Sequence, residues 1–116
     1  MSETDDTIDP QKALRHMAHM APQFAQARAN RIYCEEYRKT LKARLMKQAL
    51  VDGHNTVNAQ EREAYADEGY AQHLLAMQAA VEAEETLRWK LIAAEAAVEV
   101  WRSMEASNRR MDRATQ

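Results

Sequence analysis

Residues 74–104 read LLAMQAAVEAEETLRWKLIAAEAAVEVWRSM. No Gly or Pro interrupts this stretch, and its apolar residues recur at spacings of 3 and 4, the signature of one helix face. One stripe is Leu74, Met77, Val81, Leu87, Leu91, Ala94, Val98 and Trp101. A second, beside it, is Leu75, Ala79, Trp89, Ile92, Ala93, Ala96, Val100 and Met104. Together they make a face wider than one partner helix can cover. The helix carrying them is expected over residues 70–108, a length near 60 Å at about 1.5 Å per residue. A rod of that length does not fit inside a compact globule of 116 residues, so the expected shape is elongated.

Upstream of this rod the chain supplies its partner. Asp9-Pro10 is a helix start: the Asp carboxylate can accept from free backbone N–H groups, and Pro is tolerated where its missing N–H has no helical partner. A first helix is expected over 10–20, ended or kinked by Pro22, and a second over 22–50. The second offers Phe24, Ala27, Cys34, Tyr37, Leu41 and Leu45 on one side and Ile32, Tyr33 and Met46 on another. The turn lies at about 51–58, where Gly53 and Asn55 can take the left-handed conformation that closes a helix. Asn58 with Glu61 suggests a cap for a short helix over 59–66, and Asp67 a cap for the next. Residues 1–8 are expected to be a disordered acidic tail, 9–110 a single helical domain and 111–116 a frayed end.

Composition agrees with an all-α fold. Ala is the commonest residue at 22 copies, against 2 Gly and 2 Pro, and Val plus Ile number only 8. Few turn formers and few β-branched residues exclude most sandwiches and barrels. Val, Ile, Leu and Phe supply only 17 residues, partly replaced by 7 Met, 2 Trp and 4 Tyr. A core this thin needs help, commonly from oligomerisation. The expected architecture is therefore an elongated helical hairpin with a short N-terminal helix, oligomerising into a coiled-coil-like helical bundle. Cys34 is the lone cysteine, which excludes an internal disulfide and fits a reducing cytosol. The acidic N-terminus is unlike a signal peptide, and no apolar run is long enough to span a bilayer. The expected location is cytoplasmic, the host cytoplasm if the chain is phage-encoded, with no membrane partner.

Charge is segregated along the chain. Residues 1–9 carry net −4, residues 10–50 net +7, residues 51–100 net −7 and residues 101–116 net +2, for an overall −2. The basic segment either packs on the acidic one or binds phosphates, whose neutralisation supplies much of nucleic-acid affinity. Lys39, Lys42, Arg44 and Lys47 form one basic cluster, and Arg102, Arg109, Arg110 and Arg113 a second near the chain end. These eight are the candidate nucleic-acid contacts, although cations at a helix C-terminus are also favoured by its dipole. Within the apolar stripes, Arg31 and Arg38 are expected to reach carboxylates among Glu84, Glu85 and Glu95, because unpaired buried charge is costly.

Catalytic signals are weak. His16 and His19 share one helical turn but lack an identifiable third metal ligand. Glu82, Glu84, Glu85, Glu95 and Glu99 are acids on a helix without the Glu-x-x-His partner of carboxylate-bridged metal sites. Glu35 and Glu36 flank Cys34 and disfavour a thiolate. No phosphate-binding loop, nucleophile elbow or dinucleotide fingerprint is present. The chain is thus expected not to be an enzyme, with no cofactor, no metal and no small-molecule substrate.

Three stretches, residues 28–46, 59–66 and 84–109, carry a resemblance. Residues 28–46 read RANRIYCEEYRKTLKARLM, and 59–66 read AQEREAYA. The third opens with EETLRW and closes with WRSMEASNR. Together they resemble a group of small helical proteins encoded by tailed bacteriophages and prophages, in early-gene regions near recombination or single-strand-binding genes. The resemblance spans roughly residues 10–113 and assigns no site residue. It implies a non-enzymatic accessory of DNA recombination or replication that binds DNA, or a protein on DNA. The alternative is a protein-binding helical module acting on a host factor.

Overall fold

The computed structural model describes residues 8–115. The acidic tail expected at the N-terminus lies outside the described residues, apart from Ile8. Among the described residues the chain is all-α, with α1 Pro10–Val51, α2 Val57–Ala66 and α3 Glu68–Ala114.

Each helix end has a chemical cause. Asp9 Oδ1 accepts from the backbone N–H of Gln11 at 3.0 Å and of Lys12 at 3.2 Å, so α1 starts where the sequence places it. At its far end, His54 N–H donates to the Ala49 carbonyl and Gly53 N–H to the Leu50 carbonyl. This double closure needs a left-handed residue, and Gly53 supplies it at φ 104°. Asn55 does not share that conformation, since no non-glycine residue among the described residues has positive φ. The cap of α2 is Thr56, whose hydroxyl accepts from Ala59 N–H at 3.2 Å, rather than Asn58. Asp67 closes α2 and opens α3, with its carboxylate 2.7 Å from Gly69 N–H.

Two expected boundaries move. Pro22 does not split α1, which runs through it as one helix of 42 residues. A proline removes a single ladder bond and crowds one carbonyl. Here Ala18, Ala21 and Ala25 surround it with the strongest helix former, while buried Met20 and half-buried Phe24 seat the same turn. At the other end, α3 continues past Asn108 and Arg110 to Ala114. No Gly or Pro stops it, and Arg113 lies in the last turn, where a cation is favourable.

The contacts group into two compact units: Ala25–Glu85, and Met1–Phe24 with Thr86–Gln116. In the first, α1 turns back through α2 and the start of α3, forming a helical hairpin. Its seam is Ala27, Arg31, Cys34, Tyr37, Leu41, Leu45 and Ala49 on α1, and Tyr70, His73, Met77, Ala80 and Glu84 on α3. Ala64 of α2 is fully enclosed. In the second unit, the start of α1 packs on the later part of α3. Ala13, Met17, Met20 and Phe24 meet a stripe of Leu87, Leu91, Ala94, Val98 and Trp101.

The first predicted stripe turns inward at Met77 and from Leu87 to Trp101, but the hairpin seam departs from it at two positions. Leu74 and Val81 are exposed, while His73, Ala80 and Glu84 turn inward. Alanine lets two helices approach closely, and both polar groups are satisfied. Glu84, 6 % exposed, accepts from Arg31 Nε and from Arg31 Nη2 at 3.3 Å. His73 Nε2 donates to the Cys34 carbonyl at 2.6 Å. Arg31 therefore finds Glu84 as expected. Arg38 forms no ion pair with Glu84, Glu85 or Glu95 among the described residues, because its side chain points outward beside Lys39 and Lys42. No helix among the described residues is long and apolar enough to cross a membrane.

Candidate nucleic-acid interface

The hairpin unit sets cations beside aromatic rings at two places. Lys39 and Lys42 come from α1 because residues three apart share a helix face. Arg38 joins them, and Tyr65 of α2 and Tyr70 of α3 complete an open groove of about 300 Å³. Lys42 Nζ lies 4.8 Å from the centre of the Tyr65 ring, a cation–π distance. Tyr65 meets Tyr70 edge to face at 5.2 Å between centres. Farther along α1, Tyr33 and Tyr37 stack with centres 5.9 Å apart, and Arg44 Nη1 donates to Tyr37 Oη at 3.5 Å. Tyr33 and Tyr65 are both more exposed than buried tyrosines of a core, at 64 % and 49 %.

Several of these cations already hold a carboxylate. Lys39 Nζ is 3.2 Å from Glu36, one turn away, and Lys42 Nζ is 2.8 Å from Glu61 of α2. Hydrogen bonding to Glu61, then to Tyr65, raises the Lys42 ammonium above the ordinary lysine range. The bond to Glu84, then that to Glu35, raises Arg31 in the same direction. Lys42 therefore stays charged at neutral pH. Exposed pairs of this kind contribute about 0–1 kcal/mol each, so phosphate can compete for the exposed Lys39.

The structure brings Lys39 and Lys42 together in one groove, whereas Arg44 is placed apart from them against Tyr37. Lys47 is exposed on α1 without a close partner among the described residues. The second predicted cluster belongs to the other unit. There Arg102 pairs with Glu99 at 3.1 Å and Arg110 reaches the Ser107 hydroxyl at 3.3 Å. Arg109 and Arg113 are exposed, as is every residue over 107–114 of α3. Sequence reasoning missed both tyrosine pairs, Tyr33 with Tyr37 and Tyr65 with Tyr70. Tyr33 and Tyr37 share an i,i+4 face and were legible, but Tyr65 and Tyr70 reach Lys42 only through the fold.

His16 and His19 line a groove of the other unit, and no group of three or more His, Cys, Asp or Glu among the described residues is placed to hold a metal ion. Cys34 is buried in the hairpin seam. No protein-family model, curated protein or solved structure matches this chain.

Proposed function

We propose that this chain is a non-enzymatic accessory of DNA recombination or replication, of the kind tailed phages encode, and that it binds single-stranded nucleic acid on the hairpin unit. Arg38, Lys39, Lys42, Arg44 and Lys47 meet phosphates, while Tyr33 and Tyr65 offer ring faces to bases. The supporting observation is that Tyr65, exposed, and Tyr70, half-buried, share one groove with Arg38, Lys39 and Lys42. Stacking on aromatic rings beside a basic groove is how sequence-tolerant single-strand binding works, at about 1–3 kcal/mol per stacked base.

The test is fluorescence anisotropy of a labelled 20-nucleotide oligo-dT titrated with the full chain at 50 mM and 200 mM salt. Binding should weaken steeply with salt, and Tyr65→Ala should weaken it about tenfold at either salt, as roughly 1.4 kcal/mol per base predicts. Folded protein that fails to bind at 50 mM salt overturns the proposal.

A second reading rests on a different surface. Trp89, Ile92, Val100 and Met104 of α3 are exposed in their unit, and contiguous exposed apolar side chains mark contact surfaces. On this reading the chain is a protein-binding helical module directed at a host factor, with a second copy of itself covering part of that face. Sedimentation equilibrium over a hundredfold concentration range tests the self-association. A single monomer mass throughout excludes the second copy.

A further inference from the structure

The unit built from the start of α1 and the later part of α3 holds an open groove of about 1020 Å³. Lys12, Arg15, His16 and His19 line it from α1, and Lys90 from α3. None of these residues belongs to the two basic clusters visible in the sequence. The spacing explains how they converge: 12, 16 and 19 fall on one helical face, and Lys90 projects from the facing helix.

Three observations favour phosphate in this groove. First, Lys12, Arg15 and Lys90, like Arg38 and Lys47 of the hairpin unit, form no ion pair among the described residues, whereas Lys39, Lys42 and Arg102 each have a carboxylate within 3.2 Å. Second, among the described residues Asp9 is the one carboxylate that lines this groove. Glu95 and Glu99 line a different groove with Leu14 and Ile92. Asp9, at the rim, has its Oδ1 occupied by the N–H groups of Gln11 and Lys12. Third, the floor includes Ala93 and Ala97, which are too short to hold an extended chain away from the cationic walls.

We infer that this groove binds the phosphodiester backbone of a single nucleic-acid strand, as a second contact region distinct from the tyrosine-bearing surface. The inference rests on the nucleic-acid reading proposed above. The groove lining has no Tyr, Trp or Phe, and its only rings are the imidazoles of His16 and His19, so Lys12, Arg15 and Lys90 make it chiefly a phosphate contact. Its cations stand on both walls of one trough, which suits one row of phosphates; a duplex carries two rows set apart by its grooves.

The experiment is the same anisotropy titration with oligo-dT, comparing the natural chain with Lys12→Gln/Arg15→Gln/Lys90→Gln. All three positions are exposed, so helix content by circular dichroism should be unchanged. Each phosphate contact contributes about 0.7 to the slope of log affinity against log salt for single strands, so losing three lowers the slope by about 2. The affinity lost between 50 mM and 200 mM salt should then be about 20-fold smaller in the variant. Ala93→Glu, which places a carboxylate on the floor with a good helix former, should weaken binding in the same direction. Lys39→Gln/Lys42→Gln/Arg44→Gln is measured alongside. If the natural chain does not bind oligo-dT, the proposed function itself fails. If it binds and only the hairpin variant loses slope, the groove proposal is overturned and the proposed function stands. Equal affinity for a 20-base-pair duplex, or a change in sedimentation mass on mutating the groove, also overturns the groove proposal.

Discussion

Met20 and Met104 provide a paired test of the packing. Met20 is 3 % exposed in the seam between α1 and α3, and Met104 is 52 % exposed on α3. Truncating Met20 to Ala removes three heavy atoms from an enclosed site. At about 0.8 kcal/mol per buried methylene-sized group the transfer loss is roughly 2.4 kcal/mol. A residual cavity adds to this, within a usual range of about 2–5 kcal/mol for such truncations. The seam is only two helices thick, so its walls can close partly and water can reach what remains. The expected cost is therefore near the lower end, about 2–3 kcal/mol, or roughly 10 °C in melting temperature at about 4 °C per kcal/mol. Met104→Ala should stay within about 0.5 kcal/mol, as exposed substitutions usually do. Urea unfolding followed by circular dichroism at 222 nm measures both. A Met20→Ala cost below about 1 kcal/mol, or equal costs for the two variants, would refute the assignment of this seam.

Other consequences follow from the caps and the buried pair. Gly53→Ala should cost about 1–2 kcal/mol in the same assay. Nothing lies within 4 Å of the added Cβ, so the penalty is backbone strain at φ 104° and Gly53→Asn should recover part of it. Thr56→Ala should cost about 1 kcal/mol by removing the α2 cap, and a Thr56→Ser variant should behave like the natural chain. Arg31→Met alone should destabilise the fold by leaving Glu84 enclosed without its partner, while Arg31→Met/Glu84→Leu should restore stability to near the natural value. Thermal melts of the three chains decide this, and additive effects in the double variant would show that the pair is not structural. Lys42 is held above its ordinary range by Glu61, so its contribution is fully present below the unfolded lysine value of about 10.4 and is lost as pH rises through the folded one. The stability difference between the natural chain and Lys42→Met should accordingly be flat from pH 6 to pH 9 and shrink only at higher pH. A difference that changes between pH 6 and pH 9 would contradict the pairing.

Helical class, the turn and the principal caps were legible because they depend on local chemistry. Asp9 before Pro10, Gly53 after a long apolar-periodic run and Asp67 before Glu68 each act within a few residues of themselves. Charge segregation was equally plain from order alone. Arg31 as a partner for Glu84 followed from the cost of enclosing either one unpaired.

What only the tertiary structure decided is which of two apolar stripes becomes the seam, and which cations stand together. Residues 74–104 carry two stripes of similar character, and no local rule ranks them. The first stripe turns inward from Leu87 to Trp101, but in the hairpin Ala80 replaces Leu74 and Val81 at the seam, and there is room for Glu84 and His73 only because α1 supplies Arg31 and the Cys34 carbonyl opposite them. The pairing of Lys42 with Glu61 and Tyr65, and of Lys12 and Arg15 with Lys90, joins residues from 19 to 78 positions apart. Charge and periodicity belong to each helix alone, whereas a shared groove depends on the register between helices, which is set by side chains meeting across the seam.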